Sequence, residues 1–117
     1  MIRTKRVYEK VSRKEDGFRV LVDRLWPRGL TKEKAAADLW LKEIAPSDAL
    51  RKEFHAEKVT WPEFERKYRA ELAKKKDLLE EIRKLEKEHR TVTLLYGRND
   101  EKQNQAVVIA DALKGKK

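Results

Sequence analysis

A chain of 117 residues is long enough to bury one hydrophobic core and too short to divide into two, and with 39% hydrophobic and 44% charged residues its surface must be almost wholly ionic. It has no cysteine, which excludes disulfides, thiolate nucleophiles, iron–sulfur clusters and cysteine zinc sites. Thirty Lys and Arg against 21 Asp and Glu leave a net charge of +9, a field that draws phosphates, nucleic acid or acidic partners, although dense Lys and Glu with one Met is equally the composition of a thermostable protein.

Residues 2–8, with Thr, Val and Tyr, read as a strand. The polar stretch 9–17 ends in the turn signal Asp16-Gly17. Residues 18–25 form the next strand, and their nearly continuous apolar middle (Phe18, Val20, Leu21, Val22) implies burial on both faces. Thr31 is placed to cap a helix that begins near Lys32 and carries Leu39, Trp40, Leu41 and Ile44 on its later apolar face, until Pro46 stops it. Ser47 caps a short helix through Leu50 and Phe54. Thr60 to Glu63 is a capping box, followed by Trp61, Phe64, Tyr68 and Leu72 at helical spacing. After the charged break 74–77, Leu78, Leu79, Ile82 and Leu85 mark another helix. Residues 91–96 are a third strand, and 101–114 a last helix with Val107, Val108 and Ala112 turned inward. The roughly 65 residues between the second and third strands are the length of a crossover, so those strands should pair in parallel. The expected fold is a single α/β domain over residues 1–117, a small mainly parallel sheet with helices packed on it.

The first residues are basic with no apolar stretch behind them, and no apolar run reaches the ~18–20 residues that span a bilayer. A soluble, cytoplasmic protein with no membrane association is expected. Nothing in the chain specifies its oligomeric state.

Ligands of open parallel sheets sit beyond the carboxyl ends of the strands. After the second strand come Asp23, Arg24, Trp26 and Arg28, and after the third come Tyr96, Arg98, Asp100 and Asn104. If the strands are neighbours, these sets share one cleft. Arg24 and Arg28 suit bidentate grip of a phosphate or carboxylate, Asp23 would orient them, Trp26 or Tyr96 would stack on a ring, and Asn104 would hydrogen-bond. The ligand this favours is an anionic or nucleotide-like small molecule. The plainer readings are that Trp26 is a core lid, that Asp23 forms a structural ion pair with Arg24 or Arg98, and that Asn99 or Asp100 caps the last helix.

No catalytic group declares itself. His55 and His89 lack ligand spacing, so no metal or other cofactor is expected, and any chemistry would use carboxylates or tyrosine, or a metal borrowed through Asp23 and Asp100. The alternative is a nucleic-acid-binding or accessory protein that uses the basic surface, including Lys74-Lys75-Lys76, without chemistry.

Lys5-Arg6-Val7-Tyr8 and the run from Asp16 through Asp23-Arg24-Leu25-Trp26-Pro27-Arg28-Gly29 resemble the YeaO-like branch of the family called domain of unknown function 488. The likeness continues through Ala45-Pro46-Ser47, Leu50-Arg51, the helix with Phe64 and Tyr68, Thr93-Leu94-Leu95-Tyr96 and Gln103-Asn104-Gln105-Ala106-Val107-Val108, so it covers essentially the whole chain. The resemblance implies a small α/β fold and carries no established activity. Arg6, Tyr8, Asp23, Arg24, Trp26, Arg28, Tyr96 and Asn104 match the family's motif positions, whereas Gln105 stands where the family often has histidine.

Overall fold

The computed structural model describes residues 1–114, arranged as β1 (Ile2–Arg6), α1 (Arg13–Asp16), β2 (Phe18–Leu21), α2 (Lys32–Ala35), β3 (Leu39–Trp40), a 3₁₀ turn (Lys42–Ile44), α3 (Asp48–His55), α4 (Trp61–Leu72), α5 (Lys76–His89), β4 (Val92–Tyr96) and α6 (Gln105–Lys114). The sheet is parallel throughout, in the order β1-β4-β2-β3. β4 is thus inserted between the first two strands of the chain, and β2 pairs with it from Phe18 opposite Val92 to Leu21 opposite Leu95. No helix among the described residues is long and apolar enough to cross a membrane.

The apolar run of β2 and β4 is divided between two faces by the alternation of a pleated strand. Val20, Val22, Val92, Leu94 and Tyr96 point into the larger core, which Phe64, Tyr68 and Leu72 of α4, Ile82 of α5 and Val108 and Ile109 of α6 complete. Leu21 and Leu95 point the other way into a smaller cluster with Val7 and Ala35, against which Trp26, Leu30 and Trp40 pack.

That smaller face also buries a charge. Arg19 is fully buried on β2, where it pairs with the carboxylate of Asp16 and donates to the carbonyls of Ala36 (Nε, 2.9 Å) and Ala35 (Nη2, 2.9 Å). Lys5 reaches the same carboxylate at 3.2 Å, and the Thr93 hydroxyl donates to the Asp16 carbonyl at 2.7 Å. Burial works to raise the Asp16 pKa, but the Ser12 amide, Lys5 and Arg19 outweigh it and hold the group ionised below its usual value. With every guanidinium edge occupied, α1 and α2 are fastened to the sheet by directed bonds where apolar area is scarce.

Residues 32–44 depart from the single helix that the spacing predicts. α2 is one turn long and ends at Ala36, which is left-handed at φ 49°. The chain then runs beside β2, with the Asp38 amide donating to Arg19 O (2.7 Å) and the Leu41 amide to Leu21 O (2.9 Å). The open edge of β2 offered backbone partners that a helix could not use, so tertiary pairing overrode the helical pattern. The last helix also starts later than 101, because the side chains of Asp100 and Asn104 cap the turns before it.

One glycine governs how closely the layers approach. Gly17 has φ +62°, and a Cβ built there would collide with the Thr91 carbonyl, the group that accepts the first bond of β2 from Phe18 N at 2.9 Å. Gly17→Ala should therefore destabilise the fold by about 2–4 kcal/mol in chemical denaturation, combining a strained backbone with overpacking. A loss below about 0.5 kcal/mol would show that this approach is not constrained.

Candidate functional site

Because β2 and β4 are parallel neighbours, the loops that leave their carboxyl ends, 22–31 and 97–104, emerge side by side. The pairing extends one residue past β2, with the Val22 amide donating to Leu95 O at 3.0 Å. Asp23 follows and spans the two loops. Its Oδ2 accepts from the Gly97 amide at 2.9 Å, and its Oδ1 accepts from the Nε2 of Gln105 at the start of α6. The indole of Trp40 donates to the Asp23 carbonyl at 2.7 Å, so β3 fixes the same residue from the other side. Glycine is needed at position 97, since a Cβ there would stand 2.8 Å from Asp23 Oδ2. Burial raises the Asp23 pKa to about 6, against the opposing effect of the Gln105 and Gly97 donors.

Above Asp23 lies a cleft of about 290 Å³ lined by Arg24, Arg28, Arg51 and Arg98, with Trp26, Phe54, His55 and Gln105 among its other walls. The four arginines differ in their commitments. Arg24 donates to the carbonyls of Pro46 (Nε, 2.9 Å) and Ala45 (Nη2, 3.2 Å), which pins the loop before α3. Arg28 stands exposed on the rim, its carbonyl accepting from the Tyr8 hydroxyl at 2.7 Å. Arg51 reaches the exposed Asp48 with Nη2 at 3.3 Å. Arg98 sits over Phe54, its guanidinium carbon 4.1 Å from the ring centroid.

Among the described residues, the Nε atoms of Arg51 and Arg98 are buried side-chain donors with no hydrogen-bond partner. A buried, unpaired donor on a cation is costly, by about 1–3 kcal/mol or more, so such groups mark places where a partner is wanted. His55, between these arginines, has its pKa lowered by burial first and then by their positive charges, which keeps the imidazole neutral.

Of the residues predicted from sequence, Asp23, Arg24, Trp26, Arg28 and Arg98 come together in the cleft. Tyr96, Asp100 and Asn104 do not line it. Tyr96 is 2% exposed and part of the larger core, so it presents no face for stacking. Asp100 accepts from the amides of Lys102 and Gln103 at 3.0 Å each, bonds that lower its pKa, and Asn104, fully buried, caps α6 by accepting from Val107 N at 3.1 Å. Trp26 donates to Leu30 O at 2.7 Å and meets Trp40 edge-on, which makes it a lid over the smaller core as well as a cleft wall. Asp23 does not orient the arginines, since its partners are Gly97 and Gln105 and it forms no salt bridge among the described residues. Arg51, Phe54 and His55 were missed because α3 reads as an amphipathic helix of Leu50 and Phe54, and nothing local says that its other residues face the strand ends.

The family model described as the inactive DUF488-N3 subclade matches residues 1–117. The chain is similar to Uncharacterized protein YeaO of Escherichia coli (strain K12), with 45% identity over 113 residues that cover 97% of this chain and 96% of that one. It is also similar to Uncharacterized protein Rv3073c of Mycobacterium tuberculosis (strain H37Rv), with 36% identity over 115 residues that cover 98% and 95%. No solved structure matches it. The chain belongs to the DUF488 family, in the inactive DUF488-N3 subclade whose model it matches throughout.

The buried Asp23 makes stability depend on pH in a set direction. Its folded pKa of about 6 lies above the ordinary 3.8, so between these values the folded chain holds a proton that the unfolded chain has released. The stability it contributes is complete below pH ~4 and is lost as pH rises to ~6, by about 2–3 kcal/mol. Asp23→Asn removes the titration and keeps an acceptor for Gly97. Urea denaturation of both proteins at pH 4 and 7 should show that difference between their pH responses, and parallel responses would place the Asp23 pKa near its ordinary value.

Proposed function

We propose that this YeaO-like DUF488 protein binds an anionic small molecule in the cleft at the carboxyl ends of β2 and β4. The observation that carries this reading is the pair of buried, unpartnered Nε groups on Arg51 and Arg98, two of the four arginines that line a cleft with one carboxylate. A guanidinium offers donors in a fixed fork suited to the oxygens of phosphate or carboxylate. Arg24 acts mainly as a support, because carbonyls engage its Nε and Nη2, and Arg28 adds positive charge at the exposed rim. The sequence-based assignment of the clamp to Arg24 and Arg28 thus shifts to Arg51 and Arg98, with Arg28 retained.

Binding without turnover suits the residues present. The hydroxyl that lines the cleft, on Tyr8, donates to the Arg28 carbonyl rather than to a base, and the subclade's description as inactive agrees with a protein that holds a ligand rather than transforms it.

Inorganic phosphate and mononucleotides are the direct probes, since binding to the native state raises its melting temperature in proportion to RT ln(1 + [L]/Kd). Arg51→Ala and Arg98→Ala should each weaken binding by about tenfold or more, the contribution of a charge-assisted hydrogen bond. Neutralising the exposed Lys74 and Lys76 should leave it unchanged. Binding that survives both arginine changes, vanishes with the lysines and falls steeply with salt would instead identify a surface that meets nucleic-acid phosphates.

A further inference from the structure

The cleft contains groups of both signs that do not satisfy one another. Asp23 is the carboxylate among the lining residues, yet its donors are the Gly97 amide and the Gln105 side chain, and no lining arginine bonds to it. The arginines in turn spend their donors on the carbonyls of Ala45 and Pro46, on Asp48 outside the cleft, or on nothing. An ionised carboxylate has about four acceptor positions, and Asp23 uses two. Beyond tying the loops together, a buried carboxylate in a site that serves only an anion repels the ligand and lowers the affinity. The carboxylate is useful when the ligand also brings donors.

We infer that the ligand is a phosphorylated sugar, its phosphate held by Arg51 and Arg98 and its hydroxyls donating to Asp23. This rests on the anion-binding reading above and names the class of molecule. Three observations select it. Four arginines against one carboxylate, with His55 neutral, leave an excess positive charge that a phosphomonoester carrying roughly two negative charges matches better than a carboxylate does. The same excess repels an ammonium group, so the donors that reach Asp23 should be uncharged hydroxyls rather than the amine of an amino acid. The volume of about 290 Å³ lies at the small end of ligand sites, enough for one sugar ring and its phosphate but not for a dinucleotide. Trp26 supplies apolar wall for the carbon face of the ring.

The test compares ribose 5-phosphate with methyl phosphate, which shares the phosphomonoester and lacks the hydroxyls, by calorimetric titration at pH 7.5. The wild-type protein should bind ribose 5-phosphate about tenfold or more tightly than methyl phosphate, and Asp23→Asn should bring the two within about threefold. Equal affinity of the wild type for both compounds would overturn the sugar assignment while leaving the anion site standing, and so would a preference that survives in Asp23→Asn. Failure of the wild type to bind ribose 5-phosphate, methyl phosphate or inorganic phosphate would remove the anion-binding reading itself. The wild-type comparison decides the matter even if Asp23→Asn folds poorly.

Discussion

The carboxylate of Asp23 is the tie on which the carboxyl end of the sheet depends. It joins the loop after β2 to the loop after β4 through Gly97, and both to the first residue of α6 through Gln105, while Trp40 of β3 holds its backbone. Four segments distant in sequence are thus registered by one side chain. The parallel pairing of β2 with β4 makes this possible, because it alone brings the two strand ends to the same level. Burial of the carboxylate with only two donors leaves it under-solvated, which raises its pKa to about 6 and makes the junction sensitive to protons. As a tie the carboxylate engages one acceptor position on each oxygen, and an ionised carboxylate has about four. The retention of charge at the floor of a positive cleft is what directs attention to a ligand with donors of its own.

The opposite end of β2 has another arrangement of charge. Arg19 and Asp16 are both buried, but they are paired and supplemented by Lys5, Ser12 and Thr93, and Arg19 also donates to the carbonyls of Ala35 and Ala36. A buried pair of this kind adds little net stability over apolar packing, yet it fixes geometry, because breaking either partner leaves a naked charge. The contrast between the two ends is informative. Where charges satisfy each other the protein is scaffold, and where Arg51, Arg98 and Asp23 are left incompletely satisfied it has a cleft.

Much of the fold was legible in the sequence, and for identifiable reasons. Val20, Leu21 and Val22 sit in an unbroken apolar run that only a strand covered on both faces requires, and Ser47 and Thr60 announce their helices through side chains that accept from Leu50 and Glu63 amides. Leu39 and Trp40 were misread as helical because two residues carry no periodicity, and the open edge of β2 that decided their fate lies 18 or more positions back in the chain. The site was half legible. Asp23, Arg28 and Arg98 stand at strand ends, where topology alone predicts ligands. Arg51 and His55 belong to a helix whose orientation depends on Arg24 holding the carbonyls of Ala45 and Pro46, a contact no local pattern encodes. Tyr96 and Asn104, polar residues at the right positions, were absorbed by the core and by the cap of α6.

The proposed oxyanion site lies at the incompletely bonded arginines of the cleft. The most direct measurement is a crystal structure of the protein grown or soaked with phosphate. An ordered tetrahedral anion is expected within the cleft, within hydrogen-bonding distance of the guanidinium of Arg51 or Arg98. An empty cleft at saturating phosphate, or anions found only on exposed lysines such as Lys74 and Lys76, would contradict it.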